Sequence, residues 1–177
     1  FRGSTGYGDY FERAGDKQWG LSMQDDVTDA TKWVVKKGWA DESRICAFGA
    51  SYGGYASLMA MIREPSLYKC AIGHVGAYSL LIQRNESDTA RALWSKSFFD
   101  QVLGTDEEDL KQRSPLYNVD KIKGPVFIMH GRDDVRVPFK NALEIRKELE
   151  KHNKQYEWLA IDGEGHGFVR VKNKALS

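Results

Sequence analysis

The chain has 177 residues, 41% of them apolar, enough to bury a sizeable core within one domain. Its 26 basic residues nearly balance 25 acidic ones, so nothing points to nucleic acid or an anionic membrane as partner, and no apolar stretch nears the roughly 20 residues that span a bilayer. With no Cys-x-x-Cys or metal spacing, no Gly-x-Gly-x-x-Gly and no Walker pattern, no cofactor is expected.

Taken in chain order, residues 25–37 place Val27, Ala30 and Val34 at helical spacing and stop at Gly38. Residues 44–63 read as a short apolar strand, a glycine-rich turn and a helix running from Gly54. A second strand is expected at 70–75. Cys46 and Cys70 fall in these two strands and are expected as buried free thiols. A helical excursion follows from 87 to 112. Its run Asp106-Glu107-Glu108-Asp109 suits a helix start, where carboxylates meet the positive end of the helix dipole. Trp94, Phe98 and Phe99 are placed to approach a site from this excursion, while Leu93, Phe98 and Val102 read equally as a core stripe. Strand 125–130, helix 139–152 with Ala142, Ile145 and Leu149 inward, and strand 155–161 complete the series. Alternating strands and helices predict an α/β fold with a mostly parallel sheet.

The turn Gly49-Ala50-Ser51-Tyr52-Gly53 is the most informative feature. A serine between two glycines, after a strand and before a helix, has the form of a nucleophile elbow, whose strained backbone leaves no room for Cβ atoms two residues either side. Such a serine needs a base, then an orienting acid, in the chain order Ser, acid, His. There are four histidines. His152 ends a polar helix, His74 reads as structural, and His130 precedes every candidate acid. His166, in the loop Gly163-Glu164-Gly165-His166-Gly167-Phe168, is the best base. The acid is expected from the loop 130–138, which offers Asp133 and Asp134, and residue types alone do not choose between them. The backbone N–H of Tyr52, next after the serine, is the expected oxyanion donor.

Four stretches together resemble the catalytic domain of the prolyl oligopeptidase family of serine peptidases, especially its acylaminoacyl-peptidase and dipeptidyl-peptidase-like members. They are Arg2-Gly3-Ser4-Thr5-Gly6-Tyr7-Gly8, Gly49 to Gly54, His130-Gly131 to Val137-Pro138, and Glu164 to Phe168. The resemblance implies an α/β-hydrolase fold, a mostly parallel sheet with flanking helices, lacking the first strands and the last helix. Residues 1–177 are thus expected to be a partial α/β-hydrolase catalytic domain. It selects Asp134, four after His130, as the acid. It also implies Arg136 as a ligand of a substrate carbonyl, Val75 and Tyr78 in the pocket for the substrate side chain, and a second oxyanion donor upstream of this chain. A short peptide is the implied substrate, and an N-terminal β-propeller is expected in the intact protein. The alternatives are a carboxylesterase with the same three residues, or a fragment inactive by itself. No secretory signal is visible, but the chain opens at Phe1 within a motif, so localisation stays open.

Overall fold

The structure, a computed structural model that describes residues 1–175, is organised around a four-stranded parallel sheet. Its strands β1 (Cys46–Ala50), β2 (Cys70–His74), β3 (Val126–Gly131) and β4 (Tyr156–Ile161) lie side by side in chain order. Their register puts Ala50, His74, Met129 and Leu159 in one row, so all four strands release their following loops on the same side. Crevices beyond the carboxyl ends of parallel strands are where α/β folds place ligands.

The helices, in chain order, are α1 (Asp9–Arg13), α2 (Ser22–Lys36), α3 (Tyr52–Arg63), α4 (Leu80–Glu86), α5 (Ser95–Val102), α6 (Glu107–Gln112), α7 (Lys140–Lys151) and α8 (Val171–Lys174). The central one is α3. It buries an unbroken run from Gly54 to Ile62 and packs on β1, β2 and α2, which accounts for its apolar composition all round. Helix α7 turns Ala142, Ile145 and Leu149 into the same core, each fully buried, as their helical spacing predicts.

Several local expectations are corrected. Helix α3 begins at Tyr52, not Gly54, because the chain completes the turn within the single residue Ser51. In α2 the buried face is Met23, Gln24 and Thr28, and Ala30 is exposed. The excursion begins earlier than expected, with α4. Asp106 does start α6, its carboxylate accepting the N–H of Asp109. Leu93 lies outside any helix and is fully exposed; the core residue is Phe99, 5% exposed. A single helical turn, α8, follows His166.

The cysteines are the clearest difference. Cys46 and Cys70 are register partners on β1 and β2, with Cα atoms 4.6 Å apart, and they form a disulfide rather than two buried thiols. Cys46 is exposed, on the same face of β1 as the exposed Phe48 and Ala50.

Candidate active site

The end of β1 becomes the elbow through one backbone contortion. Ser51 has φ 59° and ψ −118°, a region that a non-glycine residue occupies only when its surroundings hold it there. The hold comes from β2: the Ser51 N–H donates to the His74 carbonyl at 2.9 Å. Gly49 permits the turn to close, since a Cβ there would lie 2.5 Å from the backbone of Gly53. Tyr52 is the first residue of α3, so its N–H has no intrahelical acceptor and is free to donate outward from the helix's positive end.

Two other loops meet Ser51. After β4, His166 brings its Nε2 to 2.9 Å from Ser51 Oγ, and its Nδ1 to 2.9 Å from Asp134 Oδ2. With Nδ1–H donating to the carboxylate, Nε2 is left as an acceptor for the serine hydroxyl. Asp134 comes from the loop after β3 and is 4% exposed. Its other oxygen, Oδ1, accepts the N–H groups of Arg136 at 3.0 Å and Val137 at 2.9 Å. Burial by itself would raise this carboxyl, but donors from His130, His166 and Val137 outweigh it and hold Asp134 below the usual carboxylate range. The neighbouring Asp133 is exposed and makes no hydrogen bond to His166; its N–H donates to the Glu164 carbonyl at 2.9 Å.

The loop carrying His166 is tied down by a residue to which the sequence assigns no role of its own. Glu164 is fully buried, and its carboxylate accepts from Val169 N at 2.9 Å, Arg170 N at 3.1 Å and Asn173 Nδ2 at 2.6 Å. These bonds, that from Val169 foremost, lower its pKa. Gly131 lets the two loops approach: a Cβ there would sit 2.3 Å from the carbonyl oxygens of Glu164 and Gly165. His74, at the end of β2, packs its ring 4.6 Å from that of Phe168 and has its pKa lowered, first by burial and then by the neighbouring His130 and His166.

A nucleophile elbow with an imidazole and a carboxylate in line recurs in many hydrolases, and the comparison with known proteins narrows the choice. The model of the prolyl oligopeptidase family matches residues 1–177, the whole chain. The chain belongs to the prolyl oligopeptidase family. It is similar to dipeptidyl aminopeptidase BIII of Pseudoxanthomonas mexicana, at 36% identity over 181 residues, covering 98% of this chain and 26% of the relative. It is also similar to dipeptidyl peptidase family member 6 of Caenorhabditis elegans, at 34% identity over 98% of this chain and 24% of the relative. Among solved structures, a puromycin-hydrolyzing peptidase of Mycobacterium tuberculosis superposes with a TM-score of 0.85 at 29% identity, over 94% of this chain and 25% of that one. Pyrococcus horikoshii acylaminoacyl peptidase superposes with a TM-score of 0.84 at 27% identity, over 94% and 27%. The fold is therefore that of the α/β-hydrolase peptidases, and the chain spans about a quarter of the length of these relatives.

The remaining residues singled out in this prolyl oligopeptidase family chain lie as follows. Arg136 is exposed, and its Nε is 3.0 Å from the Asp88 carboxylate. Val75 and Tyr78 are 2% and 0% exposed, and the Tyr78 hydroxyl donates to the Gly73 carbonyl at 2.9 Å. Both sit in the packed interior behind the elbow and present no surface to a substrate. Val75 holds φ 46°, unusual for a β-branched residue. The Tyr52 ring stacks on Phe1 and meets Trp19 edge-on, and with Met23, Phe98 and Val102 these rings line a cavity of about 600 Å³ beside the elbow. Phe98 lines this cavity, while Phe99 goes to the core.

Proposed function

We propose that this chain is the catalytic part of a serine peptidase that hydrolyses peptide bonds of short peptides through an acyl-enzyme. The observation that carries the reading is His166 bridging Ser51 and Asp134 with two 2.9 Å contacts. Ser51 Oγ attacks the substrate carbonyl carbon while His166 Nε2 takes its proton, and Asp134 stabilises the imidazolium that forms. The negative charge that develops on the carbonyl oxygen meets the Tyr52 N–H at the start of α3. His166 then protonates the leaving amine, and water repeats the sequence to release the acyl group. Arg136 is exposed and carries its guanidinium two residues from the acid. It is our candidate for a substrate carbonyl, in exchange for or beside Asp88. Val75 and Tyr78 take no direct part.

The names of the relatives favour amides over esters, which the same three side chains would also cleave. Their length, about four times that of this chain, is compatible with the N-terminal β-propeller that we expect in the intact protein. The test is hydrolysis of a panel of dipeptidyl, acylaminoacyl and prolyl chromogenic amides beside a simple ester, with the intact protein and its Ser51→Ala variant. Turnover of at least one amide class, abolished by Ser51→Ala, is expected. Ester turnover alone would move the reading to a carboxylesterase, and amide turnover that survives Ser51→Ala would remove the mechanism.

A further inference from the structure

The triad acid is shared by two histidines, and only one of them faces the serine. His130, at the end of β3, is fully buried and its ring packs against Phe139 at 5.7 Å. Its Nε2 lies 2.9 Å from the Val137 carbonyl and 3.2 Å from Asp134 Oδ2. Both neighbours are acceptors, so Nε2 must carry the hydrogen and share it between them. Nδ1, by contrast, is buried with no hydrogen-bond partner among the described residues; a lone pair is tolerated there, whereas an N–H would be an unsatisfied donor.

We propose that His130 is a positioning residue: its Nε2–H pins Asp134 Oδ2 and the Val137 carbonyl together, and so holds the carboxylate in the orientation that His166 needs. The inference rests on the triad reading above. With it, Asp134 is held by four donors, Arg136 N and Val137 N on Oδ1, His130 and His166 on Oδ2, and the carboxylate cannot turn without breaking several of them at once. The loop between β3 and α7 is thereby closed on itself by one imidazole that never touches Ser51.

The test uses the intact protein with His130→Asn, whose amide stops short of Asp134, and His130→Gln, whose amide nitrogen reaches the place of Nε2. The kcat for the best amide of the panel is measured and normalised to the fraction of Ser51 that a fluorophosphonate labels. His130→Asn is expected to lower kcat about tenfold, the scale of a lost hydrogen bond to a charged group. His130→Gln should return kcat to within about threefold of the unsubstituted protein. A purely structural role predicts equal losses in both variants, and that result, or an unimpaired His130→Asn, overturns the proposal. Should His130→Asn not fold, His130→Gln decides: recovery supports it and a tenfold loss refutes it. Ser51→Ala, run alongside, separates the two readings. If it is inert and unlabelled, the triad stands and the His130 variants judge His130 alone.

Discussion

Of the two strands that lead to the candidate acid and the candidate serine, β3 is bonded on both edges and buries five of its six residues, whereas β1 alternates exposed Cys46, Phe48 and Ala50 with half-buried neighbours. The loop after β3 is held by polar contacts that are almost all internal: two backbone donors and two imidazoles on Asp134, and the Glu164 clamp on the adjoining loop. The turn after β1 is held differently, by backbone strain at Ser51, the close passage of Gly49 past Gly53, and one hydrogen bond to β2. Orientation thus rests on side-chain polar contacts around Asp134 and on backbone geometry around Ser51. Substitutions should be far-reaching around β3 and confined to the elbow itself around β1.

The largest effect expected from this contrast is at the acid. In the intact protein Asp134→Asn should lower kcat by about ten-thousandfold, because the amide no longer selects the imidazole tautomer that the serine needs, whereas Asp133→Asn should stay within about twofold. Steady-state rates on one amide check both, and equal losses would erase the distinction between the two aspartates. On the β1 side, the Cys46–Cys70 bond ties β1 to β2 across a sequence separation of 24. The chain-entropy treatment gives about 3 kcal/mol for a loop of that size, to be read from denaturant unfolding with and without a reductant. An unchanged midpoint would mean that β1 is held without it.

How far the amino-acid sequence reveals this arrangement depends on the range of each interaction. The elbow is legible because everything it needs lies within five residues, and His166 because its glycine-flanked loop distinguishes it from three other histidines. The choice between Asp133 and Asp134 was open on residue type, and family resemblance alone preferred the second. In space the two differ because Asp134 turns inward to accept the N–H groups of Arg136 and Val137, a detail of loop path. His130 was set aside since it precedes the acids in the chain. Its partner Val137 lies seven residues on, across the closed loop, and no local pattern announces that contact. Glu164 opens one of the four resemblance stretches, yet its bonds to Val169, Arg170 and Asn173 are no more legible there. Cys46 and Cys70 read as separate thiols because their pairing follows from strand register, not spacing.

Two smaller effects sharpen the comparison. Arg136 belongs to the acid's loop yet is exposed, so it should behave unlike its neighbours. Arg136→Ala in the intact protein is expected to reduce the specificity constant for peptides about ten- to a hundredfold, as loss of a charge-assisted hydrogen bond would, and to spare a small ester that lacks the second carbonyl. Equal losses on both substrates would assign Arg136 to loop support through Asp88 instead. Smallest of all, Phe48→Thr on β1, 67% exposed, should change unfolding free energy by no more than about 0.5 kcal/mol in this chain. A larger loss would show that β1 depends on its outward face.

The most direct test of the account is the site of covalent capture by a fluorophosphonate, mapped by mass spectrometry of the digested intact protein. A hydroxyl activated by His166 and Asp134 predicts a single adduct on Ser51, absent from Ser51→Ala and strongly slowed in His166→Ala. An adduct on another serine, or undiminished labelling of Ser51 once His166 is removed, would contradict it.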